Sequence, residues 1–171
     1  MTAGPVVWIT GLSGAGKSSV AGELTGRLRR DGHHPILLDG DELRAALGTS
    51  SAFTGESRRQ LATTYARLCR LLCGQGHIVV CATISLRHEI HDWNRKNLSR
   101  YVEVFLDVPL TELRDRDPKG IYRAGTDIVG LGVDAEFPVA PDLHIHNHGA
   151  TSARQAAEKL YEFCARKGMW R

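Results

Sequence analysis

Eight consecutive residues, Gly11-Leu12-Ser13-Gly14-Ala15-Gly16-Lys17-Ser18, fit the spacing G-x-x-x-x-G-K-[ST] in full. Glycines at these places let successive backbone N–H groups turn toward one anion, and a helix starting just beyond adds the positive end of its dipole. A lysine followed by a hydroxyl then supplies a cation for the outer phosphates and a ligand for Mg²⁺. The chemistry is the grip of a nucleoside triphosphate such as ATP, with Gly11 to Ser19 as the loop, Lys17 on the β- and γ-phosphates and Ser18 on the metal. A second acidic loop, Leu38-Asp39-Gly40-Asp41-Glu42-Leu43-Arg44, brings two carboxylates that can order Mg²⁺ and accept a proton from an attacking hydroxyl. Arg44 could hold an anionic substrate bidentately. Taken alone, the glycines could be a chance turn and the acids an ordinary helix N-terminus. Together they read as a phosphoryl-transfer site. The chain has no Asn-Lys-x-Asp motif for reading a guanine, which favours a small-molecule kinase over a GTPase.

These residues need elements to hold them. Val6-Val7-Trp8-Ile9 is continuously apolar, as a strand buried on both faces should be. A helix follows over about Lys17 to Arg30, and Ile36-Leu37-Leu38 is a second short buried strand. Asp41 to Leu47 reads as a short helix, and a longer one runs from about Arg58 to Gln75, with Ser57 and Gln60 as its capping box. Ile78 to Ala82, Val102 to Leu106 and Leu143 to Ile145 are further strands. Helix-compatible sequence runs to about Leu98, and Ser152 to Arg166 closes the chain as an amphipathic helix. This alternation predicts an α/β fold of the P-loop NTPase type, a parallel five-stranded sheet with helices on both faces. Both motifs then lie at carboxyl ends of strands, where such folds bind ligands. The stretch 115–141, rich in glycine, proline and charge, reads as a lid within a single domain spanning 1–171.

Composition bounds the function. Of the 171 residues 42% are hydrophobic and 24% charged, as in an ordinary globular domain, and the net charge of +3 is mild. No basic run with interleaved aromatics suggests nucleic-acid binding, and no apolar stretch is long enough for a membrane span. Cys69, Cys73, Cys81 and Cys164 form no C-x-x-C pair and read as buried free thiols of a cytoplasmic protein.

Segments distributed along nearly the whole chain resemble the adenylylsulfate (APS) kinases: the phosphate loop through Ser19, Leu38-Asp39-Gly40-Asp41, Ile84-Ser85, Val102-Glu103-Val104-Phe105, Arg116-Asp117-Pro118-Lys119-Gly120-Ile121-Tyr122 and Gly132-Val133-Asp134. The resemblance implies transfer of the ATP γ-phosphoryl group to the 3′-hydroxyl of a nucleotide's ribose. It implies that Asp41 and Arg44 contact the acceptor, that Asp41 or Asp39 activates its hydroxyl, that Asp39 shares Mg²⁺ with Ser18, that Lys119 sits on the lid near the transferring phosphate, and that Arg116 helps clamp ATP. Ser85 stands where this family has been assigned a phosphoserine intermediate. Direct in-line transfer needs none, so Ser85 and Ile84 read as substrate-loop residues. The resemblance also suggests a homodimer.

The departures fall on the acceptor side. Where APS kinases carry Asn-Ile-Arg-Arg, whose Asn and Arg grip the substrate, this chain has Leu61-Ala62-Thr63-Thr64. Ile-Ser-Pro becomes Ile84-Ser85-Leu86, a substrate arginine becomes His91 with Arg95 as a nearby basic residue, and the adenine-stacking Phe-Thr-Gly of the lid becomes Gly130-Leu131-Gly132. Losing a bidentate arginine and a stacking ring removes acceptor contacts while the ATP side stays intact. Leu61-Ala62, Tyr65, Arg67-Leu68-Cys69, Gln75-Gly76, Cys81 to Ser85 and Trp93 to Asn97 resemble a subgroup, the cytidine diphosphoramidate kinases. Their reaction is similar, on a nucleotide with a P–N rather than a sulfate end. The leading expectation is therefore a nucleotide 3′-kinase with such an acceptor. Its rivals are an ordinary APS kinase and an ATP-binding regulatory protein without transfer.

Other residues are weighed lower. Arg58 and Arg59 begin a helix, where positive charge is unfavourable unless an anion binds, so Arg58 joins Arg95 as a substrate candidate. Trp93 could stack on a base or anchor a helix. His144, His146 and His148 alternate on one strand face, but no adjoining carboxylate or cysteine cluster in the sequence supports a metal, and they read as a solvated strand end.

Overall fold

The computed structural model describes residues 2–49, 54–117, 119–124, 128–130 and 134–170. β1 (Val6–Thr10) leads through the phosphate loop into α1 (Lys17–Arg30) and β2 (Ile36–Asp39). α2 (Gly40–Ala46), α3 (Gly55–Gly74), β3 (Val79–Ala82), α4 (His88–Asn97) and β4 (Tyr101–Asp107) follow. α5 (Leu110–Arg116) ends where the expected lid stretch 115–141 begins and α6 (Ile121–Ala124) lies inside it, two short helices that the sequence pattern does not indicate, and β5 (Leu143–His146) and α7 (Ala153–Arg166) close the chain.

The sheet has the order β2-β3-β1-β4-β5, and every paired strand is parallel. All its carboxyl ends therefore lie on one side. β1 occupies the middle, and each of its five residues is buried. Its side chains alternate between two cores. Val7 and Ile9 pack with Val20, Leu24 and Leu28 of α1 and Leu160 of α7, whereas Val6 and Trp8 pack with Tyr65 and Cys69 of α3 and Ile90 of α4. Each such side chain, once removed from water, contributes about 1.5–3 kcal/mol. A strand covered on both sides has to be apolar throughout, which is the physical content of its uninterrupted Val-Val-Trp-Ile. β2, expected to be buried, is an edge strand, and Ile36 and Leu37 remain partly exposed.

Helix starts differ in one instructive place. The long helix begins one turn before the expected Ser57–Gln60 box. Thr54 is the cap, its hydroxyl accepting from Ser57 N at 3.1 Å, so Ser57 is already helical, while Gln60 bonds Glu56 instead. α7 starts on a true reciprocal box between Ser152 and Gln155. The four cysteines are free and buried. Among the described residues no helix is long and apolar enough to cross a membrane.

Candidate functional site

The carboxyl ends of β1, β2 and β3 open into one cavity of about 730 Å³. Its floor is the phosphate loop. Gly16 adopts φ 89°, and a Cβ there would lie 2.6 Å from the Asn147 amide, so only glycine fits. No side chain of the described residues caps α1 at Gly16, which leaves the helix's first N–H groups for an anion. Distant residues hold the loop. Asn147 Nδ2 donates to Ala15 O at 2.8 Å, and the Tyr122 hydroxyl donates to Ser13 O at 2.6 Å. Lys17 Nζ donates to Leu12 O at 2.7 Å. Burial of that ammonium, helped by repulsion from Lys119 and opposed by Asp39, lowers the Lys17 pKa to about 7.

The two aspartates of the acidic loop take different positions. Asp39 caps α2, its Oδ1 accepting from Asp41 N at 2.9 Å and Glu42 N at 3.4 Å, while its Oδ2 accepts from the Ser18 hydroxyl. Asp41 is exposed and carries Arg44 on one carboxylate oxygen and Lys119 on the other. The hydroxyl–carboxylate pair Ser18–Asp39 offers oxygen donors only, which fits Mg²⁺.

The lid motif reaches both loops. Arg116 donates to Asn147 O at 3.0 Å and pairs with Glu112. Asp117 accepts from the backbone N–H groups of Tyr122 and Arg123 and so sets the turn into α6, which aims Lys119 at Asp41 and Tyr122 at the phosphate loop. Pro118, between them, lies outside the described residues, as do Leu131 and Gly132. Gly130 packs on Leu12, where a Cβ would come within 2.8 Å of a leucine methyl.

The opposite wall of the cavity is built by α3 and the β3–α4 loop. Leu61, Ala62 and Tyr65 present an apolar surface beside Arg58 and Arg87. Tyr65 hydrogen-bonds Gly40 O at 3.3 Å, which ties this wall to the acidic loop. Ile84 and Ser85 line the cavity as well. Ser85 has φ 29°, a left-handed conformation that is unusual without glycine and typical of functional sites. Its hydroxyl pairs with Thr83 Oγ1 at 2.8 Å, and its carbonyl lies 3.0 Å from Nε2 of the buried His91. The Thr10 hydroxyl donates to Ile84 O, joining β1 to the same loop.

Thus Lys17, Ser18, Asp39, Asp41, Arg44, Arg58, Ile84, Ser85, Arg116 and Lys119 all line one cavity. Gly11, Leu12 and Ala15 of the loop lie beneath the lining, and among the charged candidates Arg95 is the exception. It points to the sheet's side, donating to Asp142 at 3.1 Å and Ala140 O at 2.7 Å and pairing with buried Glu103 at 3.3 Å. A guanidinium with those partners neutralises a buried carboxylate instead of waiting for a substrate. His91 is buried behind the cavity, and Trp93 packs against the α3-side core as an anchor. Arg87 and Asn147 belong to the site without having stood out in the sequence, and Tyr65, quoted there only for the subgroup resemblance, joins them on the cavity wall. Arg87 stands two residues after Ser85, a cation close to the Ile84-Ser85 segment, and that was its available signal. Asn147 had none, because its contact to Ala15 spans most of the chain.

Residues 3–146 match the family model described as adenylylsulphate kinase. The cytidine diphosphoramidate kinase of Campylobacter jejuni is 35% identical over 95% of both chains. The adenylyl-sulfate kinase of Clostridium kluyveri is 36% identical over 96% of this chain and 85% of its own length. The bifunctional enzyme NodQ of Azospirillum brasilense is 39% identical over 96% of this chain, which spans 27% of that larger protein. Among solved structures, the APS kinase CysC of Mycobacterium tuberculosis in complex with AMPPNP and APS superposes with a TM-score of 0.87 at 32% identity, covering 96% of this chain and 99% of that one.

Proposed function

The chain belongs to the adenylylsulphate kinase family, and from that premise we propose that it transfers the γ-phosphoryl group of ATP to the ribose 3′-hydroxyl of a 5′-modified nucleotide, with a cytidine diphosphoramidate-like molecule as acceptor. The observation that carries the acceptor is the wall made by Leu61, Ala62 and Tyr65. A helix that lines the cavity with these apolar side chains offers no amide or guanidinium at Leu61 or Ala62 for an adenylylsulfate, while Arg58 and Arg87 at its edge suit a diphosphate. Full-length similarity to a cytidine diphosphoramidate kinase supports the same reading.

The geometry supports the following roles. The loop Gly11–Ser19 and the N-terminus of α1 hold the triphosphate, with Lys17 on its outer phosphates and Arg116 closing over the nucleotide. Ser18 and Asp39 would hold Mg²⁺, which supplies charge neutralisation on the phosphates. Asp39 caps α2 and meets Ser18 at the Mg²⁺ position, so the second carboxylate, Asp41, exposed to the cavity between Arg44 and Lys119, takes the role of accepting the proton of the attacking hydroxyl. Lys119, delivered by the lid, and Arg44 flank Asp41, where they stabilise charge on the transferring group. A pure ATP-binding protein would need neither Asp41 nor a lid lysine beside it.

A second reading, an ordinary APS kinase, draws on the same two arginines, which would also meet a sulfate end, and on adenylyl-sulfate kinases of equal similarity. Incubation of the purified chain with Mg·ATP and either cytidine diphosphoramidate or APS separates the two. The expected result is a higher kcat/KM for the cytidine compound. Faster turnover of APS would replace the proposed acceptor.

A further inference from the structure

Two histidines on β5, His144 and His146, and His148 just beyond it play no part in the proposed phosphoryl transfer. β5 is the edge strand beside β4, and its parallel register sets His144 opposite Phe105 and His146 opposite Asp107. The two-residue period of a strand sends both imidazoles to one face, together with the Asp107 carboxylate that ends β4. His144 Nε2 lies 3.0 Å and His146 Nδ1 3.5 Å from the same oxygen, Asp107 Oδ2. One donor atom from each residue falls within 4.8 Å of the other two. The carboxylate that the local sequence lacked comes from the neighbouring strand.

We propose that Asp107, His144 and His146 bind a divalent transition-metal ion of the zinc class, at a site separate from the Mg²⁺ position of Ser18 and Asp39. The donor set chooses the ion: two imidazole nitrogens and one carboxylate suit Zn²⁺, Co²⁺ or Ni²⁺, whereas Mg²⁺ prefers oxygen throughout. The spacing agrees. A tetrahedron with metal–ligand arms of about 2.05 Å has edges of about 3.3 Å, between the two nitrogen–oxygen separations observed. Three protein ligands leave one position open to water or to His148, whose ring centroid is 6.1 Å from that of His146. Packing of the His144 ring on Phe105, with centroids 5.1 Å apart, orients it from behind. Plain histidine–aspartate ion pairs would bring one imidazole to the carboxylate, and exposed pairs of that kind contribute little. Here two imidazoles converge on one oxygen.

The ion would staple the edge strand to β4 one residue before Asn147, whose amide holds Ala15 of the phosphate loop. The test uses the untagged protein in excess Mg²⁺, so that the oxygen-only site is filled, with Co²⁺ as a spectroscopic probe and Zn²⁺ as competitor in equilibrium dialysis. The expected result is one Co²⁺ per chain, displaced by Zn²⁺, with visible bands of a nitrogen–oxygen site and none from thiolate. His144→Ala and His146→Ala should each weaken binding by more than about 100-fold, beyond the 10–100-fold typical of groups that only orient a ligand. Asp39→Asn should leave the Co²⁺ spectrum unchanged. Both histidines are exposed, so matched circular dichroism spectra will confirm intact folding of the variants. Absence of Co²⁺ and Zn²⁺ uptake by the wild-type chain, uptake that survives both histidine substitutions, or a thiolate band would each overturn the site.

Discussion

The two halves of the cavity are built in different ways. The donor half is mostly backbone: glycines in conformations closed to other residues, fixed by Asn147 on Ala15 and Tyr122 on Ser13. The acceptor half is mostly side chains, on one face of α3 and on the loop after β3. Changing a backbone cradle requires rebuilding the strand–loop–helix unit that forms it. Changing a helix face requires only new side chains on an unchanged helix. Phosphate-holding chemistry can therefore persist across a family while the receiving molecule changes.

Asp41 is where the comparison breaks most sharply, because it stands between the halves. Asp41→Asn keeps the shape and removes the proposed base, and kcat should fall about 10²–10⁴-fold. ATP affinity by isothermal titration should stay within about threefold, since Asp41 touches Arg44 and Lys119 rather than the phosphate loop. A parallel collapse of ATP affinity would show that the halves are not separable.

Arg95 sharpens the boundary of the acceptor half. Its removal leaves Glu103, 1% exposed, with the Tyr101 hydroxyl but without its guanidinium. Breaking a fully buried pair costs about 3–5 kcal/mol, and the partial exposure of Arg95 should reduce this to about 2–3 kcal/mol for Arg95→Ala, measured by urea denaturation. The acceptor KM should not move. A raised acceptor KM at unchanged stability would return Arg95 to the substrate site.

How much of this was legible in the sequence follows the same division. The phosphate loop and Asp39–Asp41 could be read because their chemistry is contained in a few consecutive residues. The five strands and the helices α1 to α4 and α7 were legible from apolar runs, to within a turn at α3, where the cap is Thr54, whereas the short helices α5 and α6 were not. What escaped depends on long-range pairing. Glu103 sits inside an apolar strand, and nothing local links it to Arg95. Asn147 meets Ala15, and Asp107 meets His144 and His146, only after the parallel sheet sets their register. The edge position of β2 was hidden for the same reason, since strand order is a property of the whole sheet.

Arg58 and Arg87 test the acceptor wall from inside. If each hydrogen-bonds an anionic acceptor, replacing either with alanine should raise the acceptor KM about tenfold, the effect of losing roughly 1.4 kcal/mol from a charged hydrogen bond. The KM for ATP should stay within about twofold. Steady-state kinetics with each substrate varied in turn decides it, and equal effects on both substrates would mean that the arginines shape the whole cavity.

The smallest expected effect is the uptake of about one proton, and it belongs to the donor half. Burial lowers Lys17 from an ordinary 10.5 to about 7, so in the free chain it is mostly neutral at pH 8 and mostly charged at pH 6. A bound triphosphate favours the charged form and raises that pKa, so proton uptake occurs at pH values between the free and bound pKa and disappears below the free one. Nucleotide binding at pH 8 should take up close to one proton at Lys17, and binding at pH 6 much less at this residue. Isothermal titrations in buffers of different ionisation enthalpy measure the uptake, and Lys17→Met should abolish it at pH 8. Equal uptake by Lys17→Met would place the proton elsewhere and show that the lysine is already charged before the phosphates arrive.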